Sequence, residues 1–211
     1  MTDEARETAR ACVEAGVAAA DPARAVRDSL SLSGSVLRVG DHALDLADYD
    51  RVLVVGGGKD AATVARGLDE VLGDRLAGGV VVTDGDTDAG RVEALPGDHP
   101  TPSERNVDAT ERALALLDDA DERTLVLAPV TGGGSALLCA PHEDLSLADL
   151  RATTDALLDA GVPIDGVNAV RKHLSTVKGG RAARRAAPAT VLALLVSDVI
   201  GDDPAVVASG P

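Results

Sequence analysis

The sequence predicts an α/β fold, a mostly parallel sheet flanked by helices. Three observations predict it. Four short apolar runs, RVLVV (51–55), GVVVT (79–83), TLVLAPV (124–130) and VLALLV (191–196), read as buried strands. Segments with helical periodicity alternate with them, and three of the four are followed at once by a loop: GGGK, TGGGS and SDVIGDD. With no Phe or Trp and one Tyr among 211 residues, the core is left to Val, Leu, Ala and a few Ile.

Each element has its own signal. Residues 3–20 place Ala9, Cys12, Val13 and Val17 near one face of an amphipathic helix that Asp21-Pro22 ends. A second short helix runs from Pro22 to about Leu30, and residues 36–39 and 43–46 around Gly40-Asp41 form a hairpin or two short strands. Strand 51–55, the glycine turn 56–59, helix 60–72 closed by Gly73 and strand 79–83 make a β-loop-α-β unit with a right-handed crossover. Residues 84–102 are loop-rich around a short strand at 92–95. Ser103 caps a helix to about Leu117, and Ser146-x-x-Asp149 is a capping box opening a helix to Ala160. Helical segments at 170–174 and 180–187 precede the strand 191–196. The alternation is Rossmann-like, and no linker divides the chain.

Net charge is −15, with 26 Asp against 9 Glu and 17 Arg against 3 Lys. Such a surface argues against nucleic acid or anionic membrane as a partner, because both require basic patches. It fits a protein kept soluble at high salt, although GC-rich codon usage favours the same Ala, Arg, Asp and Gly. No run approaches the ~20 apolar residues of a membrane helix, and the N-terminus MTDEARETAR is charged, so the cytoplasm is the expected compartment. Cys12 and Cys139 read as two buried or half-buried free thiols.

The chemistry concentrates in the glycine loops. Gly56, Gly57, Gly58 and Lys59 join a buried strand to a helix, where backbone N–H groups can approach an anion at the helix's positive end. The segment is not a P-loop. It matches G-x-G-x-x-A with Asp84 after the next strand, a loose dinucleotide fingerprint, and it also reads as a tight turn in which glycine only permits close packing. Lys59 favours the anion: arginine has replaced lysine almost everywhere else, so a retained lysine marks a need for a compact point charge. The same reading extends to Lys172 and Lys178, within NAVRKHLSTVKGG, and for each lysine the alternative is an ordinary solvated side chain. In the second loop, Thr131, Gly132, Gly133, Gly134 and Ser135 make a nest of donors suited to phosphate oxygens. All three loops follow strands and are expected in one crevice. His99 is a candidate for substrate contact or for a structural role. Asp198, Asp202 and Asp203 are candidates for holding Mg²⁺ or are solvated surface charges. His42, His142 and His173 lack metal-ligand spacing.

VLVVGGGK, DHPTPSE, TGGGSALL, NAVRKHLSTVKGGR and SDVIGDDPAVVASGP resemble, in that order, the signature segments of the glycerate 2-kinase family that carries a C-terminal MOFRL domain. The resemblance runs from about Arg10 to the end. It implies a two-domain α/β enzyme that phosphorylates D-glycerate at the 2-hydroxyl with ATP and a divalent metal, with its active site in the cleft between domains. It implies Lys59 as a catalytic or phosphate-contacting cation, Thr131–Ser135 as the family's glycine-rich loop, and Arg171, Lys172 and Lys178 as the basic segment facing phosphate or the glycerate carboxylate. Asp198 and Asp202 match the family's acidic loop, a site for Mg²⁺. Gly57 and Asp60 stand where the family more often has Ala. Family members run to roughly twice this length, so residues 1–211 correspond to the N-terminal domain and the MOFRL domain is expected to be absent or supplied by a separate chain. The alternatives are an NAD(P)H-dependent hydroxypyruvate reductase, and a non-catalytic remnant or subunit, alone or as a homo-oligomer.

Overall fold

A computed structural model describes residues 3–211. The chain opens with α1 (Asp3–Ala19), α2 (Pro22–Ser29), β1 (Leu30–Ser33), β2 (Val36–Val39) and β3 (His42–Asp45). Asp21 accepts the Ala23 N–H at 2.9 Å and Pro22 follows it, so one dipeptide ends α1 and starts α2. The helix expected to reach Leu30 stops one residue earlier. Leu30–Ser33 alternates apolar and polar residues and pairs antiparallel with β2, which makes a three-stranded meander where a hairpin was expected. Helix α1 forms as its periodicity requires, yet none of its residues is buried. Cys12 is accordingly exposed, against expectation, while Cys139 is buried.

The main unit contains β4 (Arg51–Gly57), α3 (Ala61–Leu72), β5 (Gly78–Thr83), β6 (Glu93–Pro96), α4 (Glu104–Asp118), β7 (Thr124–Thr131), α5 (Gly134–Leu137), α6 (Leu147–Asp159), α7 (Ile164–His173), α8 (Arg181–Ala186) and β8 (Thr190–Val196). The five strands are all parallel, in the order β6-β5-β4-β7-β8. Successive residues of a strand face opposite sides. Val52, Val54, Leu125 and Leu127 pack with α3 and the small meander; Leu53, Val55 and Val126 pack with α4 and α8. Burial on both faces is why these strands read as unbroken apolar runs. Strand β8 is the exception. It was expected to be buried, but it forms the sheet's edge and every residue in it retains some exposure.

The order also locates a crevice. From β4 the chain steps to β5 and β6 on one side, then returns to place β7 and β8 on the other. The carboxyl ends of β4 and β7 therefore flank the topological switch point, where open α/β sheets bind ligands. Among the described residues, no helix is long and apolar enough to cross a membrane.

Candidate functional site at the switch point

The loops leaving β4 and β7 are tied to each other. Lys59 N–H donates to the Gly132 carbonyl at 2.9 Å, and Asp60 N–H donates to Thr131 Oγ1 at 3.1 Å. Gly58 N–H is taken by the Val82 carbonyl at 3.0 Å, and Thr83 Oγ1 donates to the Lys59 carbonyl at 3.0 Å. The N–H groups of the first loop, expected to face an anion, are therefore spent inside the protein. What the loop presents is the exposed side chain of Lys59.

Gly56 and Gly57 lie within β4 itself. A Cβ on Gly56 would sit 2.0 Å from the Pro129 carbonyl oxygen, so glycine there serves close strand packing. Gly58 has φ +138° and a Cβ on it would fall 2.1 Å from Thr131 Oγ1. Its role is to let the two loops touch.

The second loop keeps its donors. Among the described residues, no hydrogen bond uses the N–H of Gly132 or Gly133. Gly134 and Ser135 begin α5, whose first N–H groups have no acceptor within the helix. The two hydroxyls expected to face phosphate are engaged instead: Thr131 Oγ1 accepts from Asp60, and Ser135 Oγ lies 2.7 Å from Ser209 Oγ.

Three side chains gather over this loop. A Cβ on Gly133 (φ +81°) would lie 3.0 Å from Lys59 Cγ and 3.2 Å from His99 Cδ2, and one on Gly132 would lie 2.7 Å from Asp198 Oδ2. Partial burial pushes the His99 pKa down, the Lys59 charge adds to this and Asp84 opposes it, so the imidazole is neutral at neutral pH. Asp202 sits in an exposed turn, its N–H on the Val199 carbonyl at 3.1 Å. Among the described residues no three His, Cys, Asp or Glu converge, so Asp198 and Asp202 form no metal cage by themselves.

The basic segment splits by depth. Arg171 donates through Nη2 to the Ser135 carbonyl at 2.9 Å, and its Nε is buried without a partner. Lys172 Nζ donates to the Ala205 carbonyl at 2.6 Å. Lys178 is only 3% exposed, and its Nζ donates to the Leu138 carbonyl at 2.6 Å. It was expected to touch substrate; it lies beneath the loop instead. Residues 205–210 close one side: Gly179 and Gly180 donate to the Ser209 and Gly210 carbonyls at 3.2 and 2.8 Å. Ala208 and Ser209 hold φ of +49° and +65°, a left-handed strain that the packing against Gly134 maintains.

Asn106 is a positioning residue that the sequence reading missed. Fully buried, it accepts from the N–H groups of Asp98 and Ser103 at 2.9 and 2.8 Å and donates to the Asp98 and Ala136 carbonyls at 3.0 and 3.2 Å. It thereby joins the His99 loop to the second glycine loop. Its signal was its place three residues after the cap Ser103, where a capping box closes.

Charge is distributed with equal order. Among the described residues, ion pairs are made by arginines and His142, and none of the three lysines makes one. An apolar cavity of about 90 Å³ between the sheet, α4 and α8 has no charged group in its lining.

Fold and loops together define an α/β domain that presents an exposed lysine and a glycine loop with open N–H groups at its switch point. The chain belongs to the family described as a domain of unknown function, DUF4147, which matches residues 8–211. It is 44% identical over 177 residues to the D-glycerate 2-kinase of Thermotoga maritima, covering 82% of this chain and 42% of that protein. It is 40% identical over 209 residues to an Agrobacterium vitis protein provisionally named a hydroxypyruvate reductase, covering 98% and 44%. A solved structure from Pyrococcus horikoshii superposes with a TM-score of 0.88 at 35% identity, covering 100% of this chain and 48% of that one. The chain spans less than half the length of each.

Proposed function

We propose that this chain forms the nucleotide-phosphate half of the cleft of a cytoplasmic, ATP-dependent D-glycerate 2-kinase. The observation that carries this reading is the placement of Lys59, unpaired with any carboxylate among the described residues, against Gly133 in a loop where the N–H groups of Gly132 and Gly133 are open. In a chain with 35 acidic residues, a cation left without a partner on a donor nest fits a phosphate group. The resemblance of five ordered motifs and the name of the Thermotoga relative supply the substrate. Half of the cleft belongs to a MOFRL-type C-terminal domain, on a continuous or a separate chain or completed by association.

In this reading Lys59 and the loop hold the transferring phosphate, and neutral His99 contacts the glycerate hydroxyl. The 2-hydroxyl oxygen bonds to the γ-phosphorus as the bridging bond to ADP breaks and the hydroxyl proton passes to neutral His99 or to solvent, a reaction governed by positioning and electrostatics. Mg²⁺ needs only one or two protein carboxylates when phosphates and water complete its shell, and Asp198 beside Gly132 suits that demand. Bound there, it would supply charge neutralisation. Alone, residues 1–211 lack the opposing wall, so little 2-phosphoglycerate is expected from them.

The reductase reading loses its physical motive. A dinucleotide fingerprint needs free N–H groups at the first glycine turn, and those of Gly58, Lys59 and Asp60 are engaged. Calorimetric titration of the chain with ATP and with NADH separates the two. Binding of ATP that Lys59→Met weakens supports the kinase; binding of NADH alone contradicts it.

A further inference from the structure

Two basic side chains lie under the second glycine loop and, among the described residues, no anion lies against them. Lys178 Nζ grips the Leu138 carbonyl at 2.6 Å and Arg171 Nη2 grips the Ser135 carbonyl at 2.9 Å, so the pair brackets α5. The groups facing Lys178 are the Arg171 guanidinium from α7, the Cys139 thiol from the segment after α5 and, on its own carbonyl, Arg181 from α8 at 3.0 Å. No carboxylate is among them. Burial pushes the Cys139 thiol up, so it supplies no countercharge at neutral pH. Buried charges are ordinarily paired, and this chain has 35 carboxylates from which to draw a partner. The Nε of Arg171, buried and unpartnered, belongs to the same uncompensated cluster.

We propose that Lys178 is a positioning residue of the anion site: with Arg171 it holds the outgoing half of the second glycine loop from beneath, and it takes up a proton when a phosphate-bearing ligand settles on that loop. The inference rests on the reading of the loop as a phosphate site. Its physical content is that the ligand supplies the missing countercharge. Without ligand, burial and the neighbouring Arg171 push the Lys178 pKa down to about 7, leaving the amine partly neutral. A phosphate on the loop favours the charged form, and by linkage the charged form favours the phosphate. By covering the carbonyls of Ser135 and Leu138, the two cations also remove negative ends that would repel the ligand.

The test uses the full chain with ATP as the probe, above about pH 7.5 where its phosphates are fully ionised. The titration of Lys178 is followed by the NMR signal of its side chain, with the amides of Gly132–Ser135 reporting binding. The expected result is that ATP shifts those amides and raises the Lys178 pKa, and that affinity falls by up to about tenfold per pH unit. Lys178→Arg, whose charge is permanent, binds ATP with a flat pH profile, and Lys178→Met binds it more weakly. If the amides shift while the Lys178 titration stays where it was, the inference is overturned and the phosphate site stands. If the amides do not shift at all, both fall.

Discussion

Lys59 is fixed to the second glycine loop by its backbone, not by its charge: its N–H reaches the Gly132 carbonyl at 2.9 Å while its side chain lies against Gly133. Backbone and side chain therefore have separable roles. Replacing the side chain leaves the tie between the loops intact and removes only the cation. Lys59→Met is expected to weaken ATP binding about tenfold, ~1.4 kcal/mol, with stability within ~0.5 kcal/mol of the parent. Calorimetry for binding and urea denaturation for stability check the two halves; equal losses in both would assign Lys59 to the fold.

Gly58→Ala should do the reverse. Its Cβ would overlap Thr131 Oγ1 at 2.1 Å, on a backbone at φ +138° that side chains rarely adopt. The loops must part, at a cost of about 3 kcal/mol in urea denaturation. A variant of parental stability would mean that the loops are not packed this closely.

Asn106→Ala removes the partner of the part-buried N–H groups of Asp98 and Ser103 and of the carbonyls of Asp98 and Ala136. A loss of roughly 3 kcal/mol is expected, together with faster amide exchange in residues 97–103. Unchanged exchange there would show that Asn106 does not hold the His99 loop.

Lys178 should also be legible in the pH dependence of stability. Its pKa falls from an ordinary 10.5 to about 7 on folding, so between those values the unfolded chain binds more protons. Stability then rises with pH across this window and is lost as pH falls through about 7, by at most ~1.4 kcal/mol per unit. Cys139 opposes this only near and above its ordinary 9.0, so denaturation between about pH 7 and 8.5 reads Lys178. Parallel curves for the parent and Lys178→Met would contradict the assignment.

The strands, the capped helices and the placing of glycine loops at strand ends were legible because each is a local signal. Apolar runs report burial on both faces, and Ser103 and Ser146 report helix starts. What was not legible depends on contacts distant in sequence. β1 was hidden because LSLS gains its identity only from pairing with Val36–Val39. The exposure of β8 follows from strand order, which no single run encodes. The hydroxyls of Thr131 and Ser135 looked ready for phosphate because Asp60 and Ser209, their partners, lie 71 and 74 residues away. Lys178 and Lys172 looked equivalent in sequence, and only packing separates the buried from the accessible.

The central claim, that Lys59 over Gly132–Gly133 is the phosphate site of a glycerate kinase, is tested most directly in a chimera. This chain would replace the matching 177-residue region of the Thermotoga relative, which restores the rest of a cleft. The chimera is predicted to form 2-phosphoglycerate from D-glycerate and ATP, and Lys59→Met within it to lose about a hundredfold or more of that rate. A folded chimera that turns over equally well without Lys59, or that reduces hydroxypyruvate with NADH and transfers no phosphate, would contradict it.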